Sequence, residues 1–157
     1  MNTRAFDIIY NEYSPAVYRV ALVKTGNSEF AQDVCSQTFL LLCEKKPSFD
    51  SVGQLKVWLM RTAIRLASAM LKKADESRTV SFEDYHAPAI TDSLEFEFYD
   101  VLSKLDESLR EPVVMYYIED MSVSEIAKAL SIGRSAVKMR LHRARALLEK
   151  IYKEEIL

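Results

Sequence analysis

The sequence predicts an all-α protein: two helical domains, at residues 1–73 and 93–157, joined by a flexible linker at 74–92. Three observations predict it. Apolar residues recur three, four and seven positions apart through most of the chain, the mark of a single buried helical face. Three glycines and four prolines in 157 residues are too few for the turns of a β-sandwich. The exception is the run ADESRTVSFEDYHAPAIT at 74–91, where periodicity lapses and Pro88 intervenes, as in a linker.

The elements follow in order. A first helix is expected over about Thr3–Tyr13, with Phe6, Ile9 and Tyr10 on one face. Ser14-Pro15 either starts a second helix or kinks a continuous one, and Gly26 closes it. Ser28 is expected to cap the next helix, which runs to about Lys46 and stops at Pro47. Ser48–Gln54 has turn composition, and a helix then spans Leu55 to about Lys73 with Leu55, Leu59, Leu66 and Met70 at core spacing. In the second domain Ser93 is expected to cap a helix over Leu94–Glu107, striped by Leu94, Phe98, Val101, Leu102 and Leu105. Ser108 starts another that holds Val113, Val114, Tyr116, Tyr117 and Ile118.

The stretch Met121–Lys150 reads as a helix-turn-helix. Ser124 is a candidate N-cap for a short helix that turns Ile126, Ala127 and Leu130 inward. Ser131-Ile132-Gly133 is the turn, with Gly133 expected to supply backbone freedom. The following helix buries Val137, Leu141, Ala144 and Leu148 as one stripe. At about 100° per residue, Arg134, Lys138 and Arg145 fall beside that stripe, and Ser135, Met139 and His142 lie farther round. Arg140 and Arg143 add to the charge. Cations so dense on the second helix of such a motif suit duplex DNA: its first residues meet base edges and the flanking cations grip phosphates.

Charge supports this reading only when it is resolved along the chain. The formal net charge is −2, yet residues 1–73 carry 10 Lys/Arg against 6 Asp/Glu, residues 74–123 carry 3 against 13, and residues 124–157 carry 8 against 4. Two basic ends around an acidic middle suggest two contacts on one polyanion. No apolar run is long enough to span a bilayer and no signal peptide opens the chain, so a cytoplasmic protein without membrane insertion is expected. Cys35 and Cys43, eight residues apart, match no zinc pattern and are expected to be buried thiols. His86 in the linker and His142 on the last helix form no triad or metal cluster, and Gly26, Gly53 and Gly133 make no phosphate loop. No enzyme and no cofactor is expected.

Several segments resemble a known family. Leu105-Asp106, Arg110-Glu111-Pro112-Val113-Val114, Ile118-Glu119-Asp120-Met121-Ser122, Glu125-Ile126-Ala127, Ser135 to Leu141 and Arg143-Ala144-Arg145 look like domain four of extracytoplasmic-function (ECF) sigma factors. Phe6, Tyr10, Tyr13, Val17-Tyr18, Ala31 to Val34, Phe39-Leu40 and Trp58-Leu59-Met60-Arg61 resemble sigma domain two in order and spacing. A polymerase-independent regulator that uses only the helix-turn-helix, of the kind found in LuxR-type proteins, is the alternative; it would not need the domain-two pattern.

The resemblance implies binding to core RNA polymerase through its β′ coiled coil and β flap, recognition of minus-ten and minus-thirty-five promoter DNA, and control by an anti-sigma factor. It implies that Asp33, Ser36, Gln37, Leu40, Leu41 and Glu44 meet the polymerase, while Phe39 packs the bundle. It implies that Phe49, Asp50 and Ser51, with Arg61, Arg65, Lys72 and Lys73, meet the minus-ten element. Trp58 has the chemistry either to stack on DNA or to fill the core. Arg134, Ser135, Lys138, Met139, His142, Arg143 and Arg145 would meet the minus-thirty-five element. Ser36 and Gln37 stand where the family commonly has Gln and an acid, and Arg65 and Ala69 where it commonly has Asn and Asp. Arg at 65 adds charge and reach but loses the amide's paired donor and acceptor, which implies an altered minus-ten preference.

Overall fold

The computed structural model describes residues 2–77 and 93–155, and among these every regular element is helical. They form two compact units, each with its own core. The first is a three-helix bundle of α1 (Thr3–Thr25), α2 (Ser28–Lys45) and α3 (Val52–Ser77). The second holds α4 (Ser93–Ser103), α5 (Glu107–Val113), a π-turn (Val114–Ile118), α6 (Val123–Leu130) and α7 (Arg134–Glu155).

In the first unit Pro15 does not divide the helix: α1 runs through it to a left-handed Gly26, whose N–H donates to Leu22. The cap of α2 is Asn27 rather than Ser28; its Oδ1 accepts from the N–H groups of Glu29 at 2.9 Å and Phe30 at 3.1 Å. Asparagine is among the strongest N-caps, so Ser28 becomes the first helical residue. Lys46, left-handed at φ 44°, ends the helix. α3 begins at Val52 and continues to Ser77, four residues into the stretch read as linker; positions 78–92 lie outside the described residues.

The first core is built from Val17, Val20 and Ala21 of α1, Val34, Phe39 and Leu42 of α2, and Leu59, Met60, Ala63 and Ala67 of α3. Leu66 and Met70 are only half-buried, whereas Ala63 and Ala67 are fully buried. The expectation of two buried thiols holds for Cys35 alone. Eight residues rotate Cys43 about 80° from Cys35, which carries it out of the buried arc into solvent. Burial pushes the Cys35 thiol up to about 11.

The second unit corrects four local expectations. α4 stops at Ser103, and Leu105 is buried in a tight connection rather than in the helix. Arg110 holds that connection, its Nε donating to the Leu105 carbonyl at 3.1 Å and its Nη2 to Ser103 at 3.0 Å. The Ser103 carbonyl is one that the end of α4 leaves without an internal donor. α5 then begins at Glu107, one residue before Ser108. Pro112 has no N–H for the Ser108 carbonyl four residues back, and Arg140 Nη1 of α7 approaches that oxygen at 3.5 Å.

The cap of α6 is Ser122, not Ser124. Ser122 Oγ accepts from Glu125 N at 3.1 Å, and Glu125 Oε1 accepts from Ser122 N at 2.9 Å, a reciprocal capping box. The turn of the helix-turn-helix also differs in its chemistry. Its left-handed residue is Ser131, at φ 57°. Gly133 does not have positive φ, and a Cβ there would meet nothing within 4 Å. Its glycine is therefore not required by strain or by close approach.

Candidate nucleic-acid and polymerase interfaces

Each sequence-predicted group can now be placed on its helix. On α7, Val137, Leu141 and Ala144 are buried and Leu148 half-buried, as the stripe predicts. Arg134, Ser135, Lys138, Met139, His142, Arg143 and Arg145 are all exposed. They cover an arc of about 180° beside and opposite the buried stripe. Met139 is 55% exposed, an apolar side chain set among cations. Arg140 lies on the other side of the stripe, half-buried against α5.

One member of this face is tethered. Arg145 Nε donates to the Tyr117 hydroxyl at 2.6 Å. That hydrogen bond is the main reason the guanidinium is held above the ordinary arginine range. Sequence reasoning assigned Tyr117 no role, since twenty-eight positions separate the pair; no local pattern could have joined them.

In the first unit the loop between α2 and α3 carries Phe49, Asp50 and Ser51. Phe49 meets Trp58 of α3 edge-on, with ring centroids 6.2 Å apart. Trp58 is half-buried, so it neither fills the core nor stands free. Asp50 N donates to Gln54 Oε1 at 2.8 Å, and Gln54 N donates to Ser51 Oγ at 3.2 Å. Ser51 thus accepts at the start of α3. The spacing Ser51-x-x-Gln54, which matches a capping box, is the sequence signal that would have found Gln54.

From Trp58 a helical face leads away from the core. Trp58, Arg61, Arg65 and Lys72 fall within about 60° of one another, opposite Leu59, Ala63 and Ala67. Arg61, Arg65 and Lys72 are exposed. Lys73 is exposed too, but at about 100° from Lys72 it leaves the column.

On α2 the solvent face is mixed rather than basic. Asp33, Gln37, Leu40 and Glu44 lie within about 60° on the side opposite Val34, Thr38 and Leu42. Ser36 is exposed at one margin and Leu41 half-buried at the other. Leu40 is 57% exposed, whereas its neighbour Phe39 is 2% exposed and packs edge-on against Tyr10 at 5.0 Å. Phe39 thus packs the bundle, as expected.

Comparison with known proteins decides among the readings. The family model for Sigma-70 region 2 matches residues 9–77, and that for Sigma-70 region 4 matches residues 95–148. The chain belongs to the sigma-70 family of RNA polymerase sigma factors. It is of the ECF type. The ECF RNA polymerase sigma factor SigM of Bacillus subtilis is 26% identical over 154 residues, spanning 93% of this chain and 94% of that protein. The ECF RNA polymerase sigma factor SigW of the same organism is also 26% identical, over 93% of this chain and 88% of that protein.

Solved structures agree on the fold. The sigma factor RpoE of Bartonella quintana, crystallised with the anti-sigma factor NepR, superposes with a TM-score of 0.75 at 21% identity, over 98% of this chain and 99% of that one. CnrH, solved with the cytosolic domain of CnrY, gives 0.71 at 25% identity, over 98% and 91%. As a sigma factor the protein binds core RNA polymerase and directs promoter-specific initiation. The polymerase-independent regulator is set aside, because the region 2 match covers the half of the chain it would not need. The family acts as non-enzymatic transcription factors, and among the described residues no helix is long and apolar enough to cross a membrane.

Proposed function

We propose that this sigma factor divides its work among three helical faces. Asp33, Gln37, Leu40 and Glu44 of α2, with Ser36 and Leu41 at the margins, dock on the polymerase β′ coiled coil through acceptors around an exposed leucine. The loop Phe49–Ser51 and the column Arg61, Arg65 and Lys72, with Lys73 beside it, hold the opened minus-ten element. Unpaired bases need stacking groups and nearby cations, and the Phe49–Trp58 pair brings an aromatic edge to the head of that column. On α7, Arg134, Ser135, Lys138 and Met139 lie within the first six residues and read base edges of the minus-thirty-five element. His142, Arg143 and Arg145 are farther along and grip phosphates.

The observation that carries this reading is that α3 and α7, in separate units, each present exposed cations on a face opposite a buried apolar stripe. Two modest contacts linked in one chain bind together more tightly than either alone. The domain division at 1–73, 74–92 and 93–157 and the β flap contact of the second unit belong to the same reading. So do a cytoplasmic location and restraint by an anti-sigma factor, the latter supported by the RpoE relative solved with one.

Run-off transcription with purified core polymerase over a randomised promoter library tests it. Selective initiation from promoters sharing two spaced elements is expected; a polymerase no more selective with the protein than without it would refute the assignment. Arg65→Asn, assayed in the same library, is expected to change the preferred minus-ten bases while leaving core binding intact. An unchanged base preference would exclude Arg65 from the base-reading surface.

A further inference from the structure

The π-turn at Val114–Ile118 presents Tyr117 to the side of α7. A π-turn inserts an extra residue into the helical repeat and re-aims the side chains it carries. Here it leaves Tyr117 46% exposed, braced edge-on by Tyr116 with ring centroids 5.0 Å apart. The braced phenol meets Arg145 Nε at 2.6 Å. We propose that Tyr117 is a positioning residue for DNA binding: its hydroxyl fixes the Arg145 guanidinium so that the two terminal amino groups are presented to a single backbone phosphate. This rests on the assignment of α7 to DNA.

Three features carry the inference. Arg145 stands eleven residues beyond Arg134, so about 16 Å farther along the helix axis. At that distance it flanks the base-reading residues and suits a phosphate. Next, Nε is one of five guanidinium donors, and its bond to Tyr117 leaves the four terminal N–H groups for a bidentate contact. Among the described residues the hydrogen bond seen for Arg145 is the one from Nε, not from a terminal nitrogen.

The third feature is the choice of partner. A carboxylate in place of the phenol would orient Arg145 equally well but would cancel its charge and repel a phosphate. A neutral hydroxyl orders the side chain and keeps the full positive charge for DNA. A long side chain already ordered has less rotamer freedom to lose on binding.

The test uses the full-length chain and a fluorescein-labelled mixed-sequence duplex of about 30 base pairs, since a phosphate grip requires no particular sequence. Affinity is followed across a salt series, with thermal melting of every variant. Arg145→Ala is expected to weaken binding and to lower the slope of log affinity against log salt by about one. Tyr117→Phe is expected to weaken binding about 2- to 10-fold and to melt at the temperature of the unaltered chain. In the Arg145→Ala background, Tyr117→Phe is expected to have no further effect.

A normal affinity for Tyr117→Phe, with Arg145→Ala weakened, would overturn the positioning role while leaving the assignment of α7 standing. Normal affinity for Arg145→Ala would overturn the proposal, and the assignment of α7 would then be decided by Arg134→Ala and Lys138→Ala. Equal losses from Tyr117→Phe in the two backgrounds would show that Tyr117 acts by another route, and would also overturn the proposal.

Discussion

Replacing Phe39 by alanine is expected to unfold the first unit, whereas the same change at Leu40 is expected to leave it folded and impair polymerase binding. Phe39 is 2% exposed and packs edge-on against Tyr10 at 5.0 Å and Phe6 at 6.4 Å. Truncating a buried phenylalanine costs about 3–5 kcal/mol, against a total stability of about 5–15 kcal/mol for a typical domain. For a unit of this size that corresponds to a fall in melting temperature of roughly 15 °C or more. Leu40 is 57% exposed, and a surface truncation there is worth within about 0.5 kcal/mol of stability. As an apolar anchor for the polymerase, its loss should weaken association by about 1–2 kcal/mol, or roughly ten-fold. Circular dichroism melts and fluorescence titration with core polymerase separate the two. A Phe39→Ala protein that melts normally, or a Leu40→Ala protein that binds core normally, would contradict the placement of this face.

The second large effect is expected on α7. Arg134→Ala and Lys138→Ala should each weaken binding of the holoenzyme to a selected promoter by about 1–3 kcal/mol if the contact is to a base, with relaxed selectivity at that base. If the contact is to a phosphate, affinity should fall uniformly across sequences and the salt slope should drop by about one per residue. Neither change should alter association with core polymerase, because both side chains are exposed in the second unit, while the proposed docking face is on α2. Binding measured on promoter variants at several salt concentrations distinguishes these results. Unchanged affinity and selectivity in both variants would rule out this placement of the recognition face.

The pattern of residues in sequence was enough for the helices of both units and for which side of each is wet. A period near 3.6 sorts apolar from polar positions whatever the neighbours are, so the exposed arcs of α2 and α7 could be drawn before any packing was known. The misreadings cluster at helix ends, where several capping residues stand within three positions of one another. Asn27 rather than Ser28, and Ser122 rather than Ser124, were chosen by which oxygen reaches the free N–H groups. Composition could not make that choice. Gly133 was credited with the strain that Ser131 carries, because a glycine permits a left-handed backbone without requiring one.

Sequence by itself therefore determined the all-helical architecture, the basic faces and the resemblance that led to a sigma factor, since these follow from spacing along single helices and from local motifs. Tertiary structure alone decided which partners those faces acquire. It set Phe49 against Trp58, placed Arg140 over the carbonyl that Pro112 leaves unserved, and buried Glu111 and Glu119 in the second unit. It also joined Tyr117 to Arg145 through a π-turn. Each of these depends on where one helix crosses another, a distance in space that separation along the chain does not encode.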